Sequence, residues 1–308
     1  MEVRIRKVCD YQMQIRLMKT NQTLINTAPF DPVKSFECGQ CFRWHRQDDG
    51  SYTGVVSGKV LNVRIKDNTI LLLGTSDQEF QDFWAHYFDL CTDYAAIEGR
   101  LLKVAPWINP AITSGEGIHI FRQNLWEVYI SFIISSNNNI SRISGIIETI
   151  SRLFGKKISS SIPGEWYSFP QPEALLGLRE KEWRELSVGY RAPYLVDAIQ
   201  SWHCCKQEID EILHTKKEQA AYLSSCSLQK VSGIGPKVAS CIQLFGTDQR
   251  NVFPIDVWVR RAMIHFYYQQ NPKVRDETIQ RDALALFGRD AGFAQQYLFY
   301  HARTHWSK

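Results

Sequence analysis

At Ser76 the chain changes its hydrophobic period. Before that point CFRWH, SYTGVV, KVLNVRI and TILLLG are short β-rich runs separated by DDG, SGK and KDN, the spacing of an antiparallel meander. SDQE then reads as a capping box, with Glu79 three residues after Ser76, and leads into FQDFWAHYF, an amphipathic helix. Beyond it nearly every apolar stretch repeats at three- and four-residue spacings, among them FRQNLWEVYISFIISS, NISRISGIIETISRLFG, EKEWRELSV, YLVDAIQSWHCC, PKVASCIQLFG, DVWVRRAMIHFYY and FAQQYLFYHAR. Gly155 and Gly246 stand where helix C-caps are expected. A period-two pattern and a 3.6-residue pattern cannot share one element, so the chain is predicted to be α+β. An N-terminal antiparallel sheet comes first and a larger helical body follows.

With 308 residues the chain can fill two or three packed units. Its net charge of +4 is compatible with a polyanionic partner without demanding one. The opening MEVRIRKVCDYQMQIRLMKT interleaves charged and apolar residues and holds no secretory h-region. The longest apolar run, VYISFII, is too short to span a bilayer, so a soluble, non-secreted chain is expected. Eight scattered cysteines suit reduced thiols better than a disulfide framework. Cys38-Gly-Gln-Cys41 has CxxC spacing, but the only other close pair, Cys204-Cys205, is adjacent and cannot complete a four-ligand zinc site. No cysteine follows Cys241, which excludes a C-terminal iron–sulfur cluster.

The stretch KVSGIGPKVASC, residues 230–241, places Lys237 just inside a helix that follows a Gly-x-Gly-Pro turn. A cation at a helix N-terminus faces the wrong end of the macrodipole, so it is either a tolerated surface residue or one with a use. Glycines at 233 and 235 permit positive φ, and the amides after them open a phosphate-sized site. A plain helix end and turn would look the same. Downstream, NVFPIDVWV puts Asp256 at the head of another helix, where N-capping is the ordinary explanation.

A hairpin lysine followed about twenty residues later by Pro-x-Asp resembles the helix-hairpin-helix superfamily of DNA glycosylases. Four further stretches narrow the resemblance to the 8-oxoguanine DNA glycosylase/AP lyase family: CGQCFRW at 38–44, GIHIFRQNLWEVYISFIISSNNNISRISG at 117–145, VGYRAPYL at 188–195 and AGFAQQYLF at 291–299. The matching motifs imply an extension at 1–22, a sheet domain with flanking helices at 23–115, and a helical glycosylase domain at 116–308 with its hairpin at about 226–246.

By this resemblance Lys237 is the nucleophile that attacks C1′, expels the base and forms a Schiff base, after which β-elimination nicks the strand. A helix N-terminus favours a neutral amine over an ammonium there. Asp256 is implied to stabilise positive charge on the sugar and to help move protons. The base pocket is implied at Gly39, whose carbonyl meets the N7–H of 8-oxoguanine, with Gln295 on the Watson–Crick edge, Phe299 stacking, and Cys241 closing the other side. Alone, Phe299 would be read as core and Cys241 as inert packing.

Asn137, first of three asparagines that a polar loop would also explain, is implied to fill the gap left by the flipped base. Arg142 and Arg191 are implied to hold the orphaned cytosine, and Tyr190 to act as a wedge; without the resemblance both arginines would be assigned to solvated faces. Gly233, Gly235, Val238 and Trp258 are implied to approach DNA phosphates. Two departures stand out: Trp258 replaces a histidine usual in the family's animal members, and Ala302 replaces the aspartate that orients it.

No metal or other cofactor is expected for catalysis, with room left for a structural monovalent cation at the hairpin. The expected partner is double-stranded DNA containing oxidised guanine, and the protein is expected to be an intracellular monomer, in the cytoplasm or nucleoid of a prokaryote or the nucleus of a eukaryote. Other readings are a glycosylase for another damaged base and a non-catalytic DNA-binding scaffold.

Overall fold

The computed structural model describes residues 5–6, 14–18, 22–26, 30–66, 69–204 and 228–306. The stretch 205–227, which contains the start of the expected hairpin element, lies outside them, as does most of the expected N-terminal extension. Strands β1 (Ile5–Arg6), β2 (Gln14–Met18), β3 (Gln22–Asn26), β4 (Trp44–Arg46), β5 (Tyr52–Val56), β6 (Lys59–Lys66) and β7 (Thr69–Leu73) form one antiparallel sheet in the order β1-β2-β3-β7-β6-β5-β4. The four expected segments are therefore consecutive neighbours, as a meander requires. Val56 pairs with Lys59 across a two-residue turn in which Ser57 and Gly58 both have positive φ, the hairpin geometry that matches strand twist.

The backbone of the N-terminal extension supplies β1 and β2, which continue the sheet beyond β3. The alternation of charged and apolar residues along this stretch is also the alternation of a strand.

Ser76 caps its helix as read, its hydroxyl accepting from Glu79 N at 3.2 Å. The helix runs from Asp77 to Tyr87 with a π segment at Phe80–Trp84. The wider turn keeps Phe80, Trp84 and Phe88 on one buried line against the sheet. The helices that follow include Leu125–Ser135, Ile140–Phe154, Ala192–Cys204, Pro236–Gly246, Val257–Phe266 and Ala291–His305. Two features depart from the helical pattern. Residues 155–169 hold a small hairpin, Lys157–Ile158 against Trp166–Tyr167, too short to announce itself by period. Residues 118–124 form neither helix nor strand, and their buried backbone is satisfied in part by distant side chains: His119 N donates to Ser35 Oγ, Ile120 N to Tyr94 Oη and Phe121 N to Gln40 Oε1.

Two hydrophobic cores result. One lies under the sheet around Trp44, Leu61, Trp84 and Phe88, and the other within the helical body around Ile133, Ile147, Leu195 and Ile242. CGQCFRW passes from one to the other, with Cys41 and Trp44 in the first and Phe42 in the second. Arg43, between them, donates from Nε to Glu148 Oε1 at 3.0 Å and from Nη2 to Tyr167 O at 2.7 Å. This crossing positions the site described next. Among the described residues no helix is long and apolar enough to cross a membrane.

Candidate active site

Gly233 has φ +82°, and a Cβ there would lie 2.5 Å from the Tyr194 ring, so conformation and space both demand glycine. Gly235 corrects the sequence reading: its φ is −83° with extended ψ, and it needs no positive φ. It is instead the N-cap of Pro236–Gly246, exposed and without a side chain, with Pro236 in the first turn. The Val238 side chain is buried, so only its backbone is available to an anion. The helix buries Val238, Ala239, Cys241, Ile242, Leu244 and Phe245, a face that fixes its N-terminus against Leu125–Ser135.

Lys237 is half-buried, its Nζ 5.6 Å from the centroid of the Phe132 ring. Among the described residues no hydrogen bond or ion pair holds that amine. Asp256 is indeed an N-cap, its Oδ1 accepting from Trp258 N at 2.9 Å and Val259 N at 2.8 Å. Oδ2 accepts nothing among the described residues, so capping consumes one oxygen only. Burial raises the carboxyl above the usual carboxylate range, against the two amides and the nearby Lys237 charge.

Both residues line a cavity of about 590 Å³ that also takes in Gly39, Cys241, Gln295, Phe299 and Trp258. The structure thus brings together seven of the residues singled out in the sequence. Gly39 has φ +77°, and a Cβ there would sit 3.5 Å from Ile140 Cδ1 and 3.6 Å from Phe299 Cε1. Ordinary contacts would tolerate a methyl; the backbone conformation is what demands glycine. Gln295 is buried, and among the described residues its Oε1 has no hydrogen-bond partner. An orphaned amide oxygen in a cavity wall is costly unless a ligand completes it. Cys241 is a free, buried thiol pushed up to about 11 by desolvation.

Cys38 and Cys41 are likewise free, their sulfurs donating to the Ser35 and Phe36 carbonyls. Among the described residues no group of three or more His, Cys, Asp or Glu could hold a metal ion. The expectation of free thiols fails at Cys91, which is disulfide-bonded. Spacing in sequence carries no information about a pairing made through the fold.

The remaining expected residues gather in a second cluster. Asn137 is exposed in the left-handed region at φ +47°, a conformation that asparagine tolerates. Asn138 bridges back to Ile134 O, and Asn139 caps Ile140–Phe154 through Arg142 N. The triplet therefore turns the chain, closes one helix and starts the next. Arg142 is exposed and donates to Ser187 O at 3.1 Å.

Arg191 corrects the assignment to a solvated face. It is 2% exposed, with Nε on Ser136 O at 2.9 Å, Nη1 on Val188 O at 3.0 Å and Nη2 on Asn137 O at 2.9 Å. The tight 136–138 turn has no helical donors for its carbonyls, and a guanidinium supplies several at once. Tyr190 lies over the guanidinium, 4.5 Å from the ring centroid, is 49% exposed, and donates from Oη to Ser136 O.

At the two departures, Trp258 is half-buried with Arg261 5.0 Å from its ring centroid, and Ala302 is fully buried. The sequence reading missed Phe132, Gln296, Arg303 and Trp306, all lining the cavity. One signal was available: Arg303 stands four residues after Phe299, one helical turn on, and its guanidinium lies 5.8 Å from that ring centroid.

The chain is similar to several known proteins. Residues 22–129 match the family described as 8-oxoguanine DNA glycosylase, N-terminal domain. A probable N-glycosylase/DNA lyase of Methanothermobacter thermautotrophicus is 31% identical over 237 residues, 70% of this chain and 71% of that protein. The N-glycosylase/DNA lyase OGG1 of Arabidopsis thaliana is 26% identical over 276 residues, 86% of this chain and 75% of the relative. Among solved structures, Clostridium acetobutylicum 8-oxoguanine glycosylase/lyase, in complex with DNA containing cytosine opposite 8-oxoG, superposes with a TM-score of 0.85. Its identity is 36%, covering 95% of this chain and 98% of that one.

Proposed function

Because this chain belongs to the 8-oxoguanine DNA glycosylase family, we propose that it excises 8-oxoguanine paired with cytosine from duplex DNA and then cleaves the strand as an AP lyase. The observation that carries this reading is the convergence of an unpaired lysine, a half-buried carboxylate and an orphaned amide oxygen in one cavity with the Gly39 loop.

Chemistry follows from that arrangement. A flipped 8-oxoguanine enters between Phe299 and Cys241, stacks on the Phe299 ring, and gives its Watson–Crick N–H groups to Gln295 Oε1. Its N7–H meets the Gly39 carbonyl, whereas guanine would set a lone pair against the same oxygen. An unsatisfied buried group costs about 1–3 kcal/mol, enough to reject guanine by about 5–150-fold at this one contact. Lys237 Nζ attacks C1′, and the electrons of the glycosidic bond leave with the base. The adduct loses a proton and opens to a Schiff base on C1′. Removal of a C2′ proton then expels the 3′ phosphate. The Asp256 oxygen not used in capping stabilises the cationic sugar and relays protons. Outside the pocket, Asn137 and Tyr190 occupy the vacated stack, and Arg142 faces the orphaned cytosine. The protein acts wherever genomic DNA lies, in a nucleoid or a nucleus.

Borohydride trapping on duplexes with 8-oxoguanine opposite each of the four bases tests the proposal. A covalent adduct strongest opposite cytosine, and absent from Lys237→Gln, is the expected result. Full strand nicking by Lys237→Gln would sink it. Gly39 with Gln295 argues against a different damaged base, and intact Lys237 and Asp256 argue against a non-catalytic scaffold.

A further inference from the structure

Glutamines crowd the loop that carries Gly39. Gln40 Nε2 donates to Ser35 O at 2.9 Å and His119 O at 2.8 Å, while its Oε1 accepts from Phe121 N at 2.8 Å. Gln123 Nε2 donates to the Gln40 carbonyl at 2.8 Å. Gln296, 3% exposed, directs Nε2 at the Cys38 carbonyl at 3.3 Å and at Cys38 Sγ at 3.0 Å. The carbonyls on either side of Gly39 are thus both engaged by side-chain amides. The Gly39 carbonyl between them accepts nothing among the described residues.

This asymmetry matters because of what a peptide plane carries. The Gly39 carbonyl shares its plane with the Gln40 N–H, which points the opposite way. Beside a glycine such a plane rotates with little steric resistance. A half-turn would replace the acceptor with a donor, and a donor there favours guanine, whose N7 accepts, over 8-oxoguanine, whose N7–H donates. The loop must therefore be held from both sides for the discrimination to keep its sign. Gln123 anchors the plane after it and Gln296 the plane before it.

We infer that Gln296 is a positioning residue for lesion discrimination: by tying down the Cys38 carbonyl it keeps the Gly39 carbonyl as the acceptor presented to the N7 edge of the base. The inference rests on the reading of Gly39 given above. Gln295 and Gln296 adjoin in sequence but divide the work, one aimed at the base and the other at the frame that reads it.

The test compares wild type with Gln296→Met, which keeps length and volume and removes the donor. Single-turnover rates are measured on 8-oxoguanine opposite cytosine, on guanine opposite cytosine, and on a preformed abasic site, which has no base to read. The ratio of 8-oxoguanine to guanine excision should fall roughly tenfold, the worth of one lost hydrogen bond. The ratio of 8-oxoguanine excision to abasic-site cleavage should fall with it. An unchanged 8-oxoguanine-to-guanine ratio, or three rates falling in parallel, overturns the inference. If Gln296→Met does not fold, Gln296→Glu keeps the shape, turns the donor into an acceptor, and is read the same way. Wild type that leaves 8-oxoguanine in place fails earlier, at the proposed function, and takes this inference with it.

Discussion

Asp256 holds two amides and is still disfavoured as an anion, because burial outweighs the bonds that favour its charge. Its folded pKa is raised, so the stability held by the protonated form is present below the unfolded value and is lost as pH rises through the folded one. Asparagine caps helices as well as aspartate does. Asp256→Asn should therefore match or exceed the wild-type Tm at pH 7, with the difference vanishing in acid, while 8-oxoguanine excision falls about a hundredfold or more. Thermal melts across pH, beside single-turnover rates, check both halves.

The two arginines separate in the same way. Arg191→Ala strips donors from three buried or half-buried carbonyls and should cost about 2–4 kcal/mol in denaturant unfolding. Arg142→Ala, at an exposed site, should cost less than about 0.5 kcal/mol yet flatten the preference for cytosine opposite the lesion. At this scale Lys237, Asp256, Gly39, Gln295 and Phe299 were picked out by the family resemblance, since residue type alone leaves Asp256 as a cap and Phe299 as core; the structure gathers all five around one cavity. The buried clamp made by Arg191 was not legible, because its partners lie some fifty residues away and are main-chain atoms that no side-chain pattern records.

Among the elements, the helix Leu125–Ser135 carries Glu127 in its first turn, beneath the crossing segment. Desolvation pushes that carboxyl up to about 7, opposed by Arg43 and reinforced by Glu148. A folded pKa above the unfolded one again means stability present in acid and lost as pH rises, here between about 4 and 7. Glu127→Gln is expected to raise Tm at pH 8 and leave it unchanged below pH 4, which scanning calorimetry at the two pH values would resolve.

The meander, the Ser76 cap and the helices around the hairpin could all be read from period and punctuation. Residues 118–124 could not. Their backbone depends in part on Ser35, Tyr94 and Gln40, and local sequence holds no trace of partners so remote. The little hairpin at Lys157–Ile158 escaped for a different reason, two residues being too few to show alternation.

In the whole molecule the cavity is assembled from separate stretches of chain against the helical core: Gly39 arrives on the crossing segment, Lys237 and Asp256 on the helical body, and Gln295 and Phe299 on the last long helix. The motif around Cys38 and Cys41 suggests chemistry by its spacing. What it provides is architecture: Gln40 pairs with residues 119–121, Arg43 with Glu148, and Phe42 with the second core. Gln40→Leu leaves the His119 carbonyl and the Phe121 amide unpaired and should cost about 2–4 kcal/mol. Because the loop belongs to both cores, fluorescence and far-UV circular dichroism should still report one transition at a shared, lower midpoint. The Gly39 carbonyl itself has an evolutionary consequence. A main-chain oxygen has no codon, so no substitution in the gene deletes it, and a lineage can lose it only by disturbing the loop that aims it. On the proposed reading, the rim that chooses the opposite base is made of side chains, each open to replacement by a codon change. Drift should therefore relax the choice of partner base long before it relaxes the choice of lesion.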